Sequence, residues 1–86
     1  MILRKPRLYL VCLQIGIFNS LIPPRRVDII QPDELLIVLS NLAHAPYFIN
    51  GGAKNGRGIR VLSPRVGYGW ITELTLASSE WLKRVK

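Results

Sequence analysis

The sequence predicts a mainly β fold: a small barrel or a strongly bent sheet, with an apolar N-terminal arm and a short C-terminal helix. Three observations predict it. Short runs of β-branched, aromatic and leucine side chains recur at close spacing, Gly- and Pro-containing turns separate them, and the last few residues carry a one-sided apolar pattern. The 86 residues suit one domain with a modest core, and 49% apolar against 20% charged residues is too hydrophobic for a disordered chain.

Residues 1–26 read as the arm. They hold Arg4, Lys5, Arg7, Arg25 and Arg26 and no acid. A charged start followed by the apolar stretch 8–22 has the outline of a signal peptide, but the large Phe18 spoils a small-x-small cleavage site before Ser20. As a membrane span the stretch is too short, because a helix needs about 20 apolar residues to cross a bilayer and Pro23-Pro24 stops this one. Its content favours a strand, with Gly16 marking a bulge or bend, and a buried helix is the rival reading. A strand apolar on both faces has to be covered on both, by barrel closure or by a neighbouring subunit. Cys12, the only cysteine, reads as a small buried hydrophobe; an internal disulfide and a cysteine-based zinc site are excluded, and a reducing compartment fits.

The body, residues 27–86, follows a stiff extended connection between Pro23-Pro24 and Gln31-Pro32-Asp33. Residues 35–39 suit a buried strand. Residues 46–50 and 57–63 suit a hairpin around the six-residue tip Gly51-Gly52-Ala53-Lys54-Asn55-Gly56. After a turn at residues 63–67, residues 69–76 alternate as a strand that would aim Trp70, Leu74 and Leu76 at the core, with Phe48 another core candidate. Ser78 or Ser79 can then cap a final helix whose apolar side is Trp81, Leu82 and Val85.

Asp33-Glu34-Leu35-Leu36-Ile37-Val38 followed by Gly69-Trp70-Ile71-Thr72-Glu73-Leu74 resembles the SH3-like barrels, in which a D-E-L strand precedes a closing strand that starts with glycine and an aromatic. The resemblance spans residues 33–76 and implies a small barrel. The peptide-binding members carry an A-L-Y-D-Y stretch, a tryptophan pair, a late proline and an acidic loop. This chain has none of these: Thr72 stands at the proline's place and the loop is basic, so polyproline recognition is not expected.

Neither a catalytic nor a metal constellation emerges. His44 has Ser40 near it in sequence and Asp33 and Glu34 further off, but no G-x-S-x-G elbow accompanies them, and a single loop histidine is usually a packing or surface residue. The Gly-rich segment 51–58 lacks the G-x-x-x-x-G-K-[ST] order; its glycines read first as turn formers, although Lys54 and Arg57 beside them suit a phosphate. The formal charge of +7 points to anionic partners.

The function expected is therefore a non-enzymatic module without cofactor or metal. It would contact nucleic acid or an acidic protein surface through Arg4, Lys5, Arg7, Arg25, Arg26, Lys54, Arg57, Arg60 and Arg65, with Tyr68 as a stacking aromatic. The alternative is a structural subunit of a virion or ribosome-like particle, its apolar arm buried by neighbours. Either would work inside the cell or within such a particle, and membrane attachment ranks below both.

Overall fold

In the computed structural model, which describes residues 2–40, 43 and 45–85, the backbone forms eight strands and one short helix, and side chains are described from residue 6 onward. Strand β1 runs Ile2–Val11, β2 Ile15–Leu21, β3 Pro24–Ile30, β4 Leu35–Ser40, β5 Tyr47–Asn50, β6 Ala53–Ser63, β7 Gly67–Thr72 and β8 Leu82–Val85, with helix α1 at Glu73–Ala77 between the last two. All pairings are antiparallel, in the order β3-β2-β7-β6-β4-β1-β8, and β5 pairs with the first half of β6.

Of the two forms expected, the protein takes the strongly bent sheet and does not close into a barrel. The bend follows from the core. Seven flat strands would hold their outermost members about 29 Å apart. Yet Ile30 of β3 and Leu82 of β8, from opposite ends of the order, are buried in one cluster with Val11, Ile17, Val38, Ile59, Val61 and Ile71. Only a curled sheet brings them together.

The stretch expected as an arm lies within this sheet and supplies β1, β2 and the start of β3. Its apolar run is strand, as its content suggested, but it breaks at Cys12-Leu13-Gln14 ahead of Gly16, and Cys12 is half-buried. The Cys12 N–H donates to the Trp81 carbonyl at 2.8 Å and the Val11 N–H to the Glu34 carbonyl at 2.9 Å, so the break is anchored on both sides. The expected extended connection after Pro23 is itself β3. Pro24 opens an outermost strand, where a missing N–H costs no ladder bond. Asp33 reaches φ 71°, a left-handed turn conformation that aspartate tolerates, and leads into β4.

The Gly-rich tip is shorter than expected. Gly51 and Gly52, both at positive φ, make a two-residue turn between the paired Asn50 and Ala53, and Lys54, Asn55 and Gly56 already belong to β6.

Two expectations near the C-terminus are corrected. Residues 73–77 are helical and residues 82–85 form a strand, the reverse of the sequence reading. The Thr72 hydroxyl caps α1 by accepting from the Thr75 N–H, with Glu73 in the favourable first turn. Residues 82–85 instead pair with β1, Val11 opposite Leu82 and Tyr9 opposite Arg84. A ladder of backbone bonds along β1 outweighs one marginal helical turn.

The second correction concerns which face of β7 is inside. Ile71 is fully buried and Trp70 lies half-buried on the outer face, while Leu74 is 78% exposed and only Leu76 packs partly on the core. Phe48 is buried, but on the outer side, edge-on to Phe18 with ring centroids 5.2 Å apart. The space explains both. Gly69 sits against Ile17 on the inner side, leaving room there for isoleucine and little for an indole, and Gly58 on the outer side lets Leu21, Phe48 and Trp70 close over it.

Candidate polyanion-binding surface

The strand register sorts the expected cations into separate places. Arg26 stands opposite Phe18, Phe18 opposite Trp70, and Trp70 opposite Arg60. Residues directly opposite in an antiparallel pair share a face, so these four form one row across β3, β2, β7 and β6, about 14 Å from end to end. Arg25, the residue next to Arg26 on β3, is exposed beside it and pairs with Ser20 across a register slip. The stem of Arg26 lies over Gly16, where a Cβ would meet its Cδ at 2.9 Å.

The Arg60 guanidinium lies 4.9 Å from the Trp70 ring centroid and 5.2 Å from that of Tyr68, which is 63% exposed. Cation–π attraction to two rings holds the guanidinium beside them. No carboxylate belongs to this row.

A second cation–aromatic group forms on the β5–β6 hairpin. Lys54 Nζ and Arg57 Cζ each lie 4.7 Å from the Tyr47 ring centroid, and Arg57 Nη1 donates to the Ala45 carbonyl at 2.7 Å. Residues 57 and 60 have opposite parity on β6, so Arg57 lies on the other side of the strand from Arg60, and Lys54 joins it at Tyr47 from beyond a register slip in the hairpin. The hairpin thus splits a basic set that the sequence suggested was one surface.

Arg65 has a different role. Its Nε donates to Glu34 Oε1 at 2.9 Å and its Nη2 to Glu34 Oε2 at 3.0 Å and to the Ile29 carbonyl at 2.7 Å, with Asp28 within 3.7 Å. It ties the β6–β7 turn to the end of β3 and to the turn before β4. One cation thereby engages two of the five acids.

That clamp makes acid stability testable. The Arg65 hydrogen bond, and then the Gln31 N–H, hold the Glu34 carboxyl below its ordinary value of 4.5. A depressed folded value contributes stability that is present above the ordinary value and is lost as the pH falls below it, through the folded value. The unfolding midpoint of Arg65→Gln is expected to fall less steeply than that of the parent between about pH 5 and 2. Identical acid limbs for the two would refute the linkage.

Arg7 sits on β1 with its Nε buried and no partner, away from the row. The side chains of Arg4 and Lys5, and His44, lie outside the described residues. No family model, curated protein or solved structure matches this chain. Among the described residues no cluster of three or more His, Cys, Asp or Glu side chains could hold a metal, and no helix is long and apolar enough to cross a membrane.

Sequence reasoning had named Arg25, Arg26, Arg60 and Tyr68 but had missed Phe18 and Trp70 as the residues that join them. A signal existed. With a turn at residues 64–66, a hairpin between 57–63 and 67–72 pairs Arg60 with Trp70 and Leu62 with Tyr68, placing the cation among the rings.

Proposed function

We propose that this protein is a non-enzymatic module that binds single-stranded nucleic acid on the outer face of β3, β2, β7 and β6. The observation that carries the reading is the row Arg26, Phe18, Trp70 and Arg60, flanked by the exposed Tyr68 and Arg25. Single strands are gripped by cations along the backbone and by flat groups on which bases stack, and both arginine planes and aromatic rings serve. A row of this kind offers phosphate contacts at its ends and, beside them, the exposed Tyr68 ring as a stacking surface. The position of β1 and β2 inside the sheet also supports a free-standing module over a subunit whose arm is buried by neighbours.

An oligothymidine titration followed by tryptophan fluorescence tests it, because Trp70 lies in the row. Binding is expected at low salt, with log affinity falling linearly against log salt. Each phosphate of a single strand that a variant no longer neutralises flattens that slope by about 0.7, so Arg26→Ala with Arg60→Ala should reduce it by about 1.4. Tyr68→Ala should cost about 1–3 kcal/mol of affinity if one base stacks there. Lys54→Ala with Arg57→Ala, at Tyr47 on the hairpin, should change little. An absence of binding at low salt, or a slope altered only by the hairpin pair, would remove the row as the site.

A further inference from the structure

We propose that the cavity between β1 and β8 is a site for a small organic phosphate, held by Arg7 and Arg84. The cavity measures about 550 Å³ and is lined by Pro6, Arg7, Leu8, Arg84 and Val85. It shares no residue with the row on β3, β2, β7 and β6, so the two sites stand or fall separately.

Three observations point to an anion. Tyr9 pairs with Arg84, so Arg7, two residues away on the same side of β1, is the diagonal neighbour of Arg84. Two like charges are thus brought to diagonal positions on one face, within reach of a single anion between them. No carboxylate lines the cavity among the described residues. Finally, Arg7 Nε is a buried donor with no acceptor, alone in this among the side-chain polar atoms of the described residues. Buried N–H groups in folded proteins are nearly always bonded, so the Arg7 guanidinium, which lines the cavity, has donor capacity to spare for a ligand oxygen.

The chemistry narrows the ligand. A guanidinium offers a planar fork of donors, and two of them converging suit a group with several anionic oxygens, which a phosphate has. Pro6, Leu8 and Val85 also line the cavity, and the volume lies within the range of small-molecule sites. A water occupies about 30 Å³ of liquid, so an inorganic ion would leave most of this cavity unfilled. The geometry therefore points to a phosphate monoester with a compact organic body, its phosphate on Arg7 and Arg84 and its body filling the rest of the cavity.

The test is a titration of the full chain with phenyl phosphate at constant ionic strength, following the arginine Nε–H resonances by NMR. A saturable shift of the Arg7 Nε–H is expected, with a dissociation constant in the millimolar range or tighter, and inorganic phosphate should bind more weakly. Arg84 is exposed, so Arg84→Gln should fold normally and weaken binding by at least about tenfold. Arg60→Ala should leave it unchanged. A 5′-phosphorylated oligonucleotide that competes where its 5′-hydroxyl counterpart does not would identify a nucleic-acid end as the natural source. Competition by neither would identify a free phosphate ester. No saturable shift at Arg7 up to about 10 mM, or a shift that Arg84→Gln leaves intact, overturns the proposal.

Discussion

Gly69→Ala should destabilise the protein by about 3 kcal/mol, the upper end of what overpacking usually costs, although it adds one methyl group. The φ of Gly69 lies outside the left-handed region, so the penalty is one of space. A Cβ there would lie 2.4 Å from Cγ1 and 2.7 Å from Cδ1 of Ile17, and 3.0 Å from the Phe18 carbonyl oxygen. Ile17 is fully buried and cannot swing away, and the Phe18 carbonyl belongs to the backbone of β2. The expected signature is coupling. Ile17→Ala alone leaves a cavity and should cost about 2–5 kcal/mol, but it also clears both carbon contacts, so the double variant should fall short of the sum of the singles by about 1 kcal/mol or more. Urea unfolding of the four proteins measures this, and strict additivity would show that Gly69 is not wedged against Ile17.

Ile71→Ala is expected to have a comparable or larger effect, about 3–4 kcal/mol, by opening a cavity at a fully buried site opposite Ile59 on β6. A domain of this size holds roughly 4–13 kcal/mol in total, so the thermal midpoint should drop by more than about 10 °C. Leu74→Ala, removing a larger share of exposed apolar surface on α1, should stay within about 0.5 kcal/mol. The pair decides between two inward faces for the segment. Were Leu74 the costly position, the alternation read from sequence alone would be right and the observed register wrong.

That alternation shows what the sequence could and could not convey. Period-two patterning establishes that 69–72 is a strand, but it assigns a face only by asking which residues look more apolar, and Trp70 with Leu74 and Leu76 outvotes Ile71 on that criterion. The deciding fact is tertiary: Ile17 on a neighbouring strand fills the inner space beside Gly69. Likewise Thr72, Glu73, Leu74 and Ala77 are adequate helix residues, yet only the hydroxyl cap on Thr75 shows that β7 stops at Thr72. Residues 82–85 carry no local strand signal strong enough to compete with Ser78 as a cap; they become a strand because β1 offers a free row of backbone groups.

The candidate surface was legible to the extent that charge is legible. Arg60 and Tyr68 were visible as a cation and an aromatic near turns, and the register of one hairpin set them side by side. Arg65 looked equivalent to Arg60 by composition. Its partners Glu34 and Asp28 are 31 and 37 positions away in sequence, and no local rule links them. Phe18 entered the row through the β2–β7 pairing, a contact between the first third of the chain and the last.

A sheet that curls without closing keeps two outermost strands along its main order, and here both are defended. On β3, Pro24 opens the strand, Arg25, Arg26 and Asp28 are exposed, and the register slips twice against β2. On β8, only four residues are extended and Lys83 and Arg84 are exposed. Short length, irregular pairing and charge are the means by which proteins prevent edge-to-edge aggregation. In this molecule much of that protection is positive charge, which the proposed binding of a polyanion would also use. If the proposed polyanion binds, it would cancel the repulsion between copies while holding many of them close together, and on β3 solubility and binding would then draw on the same side chains.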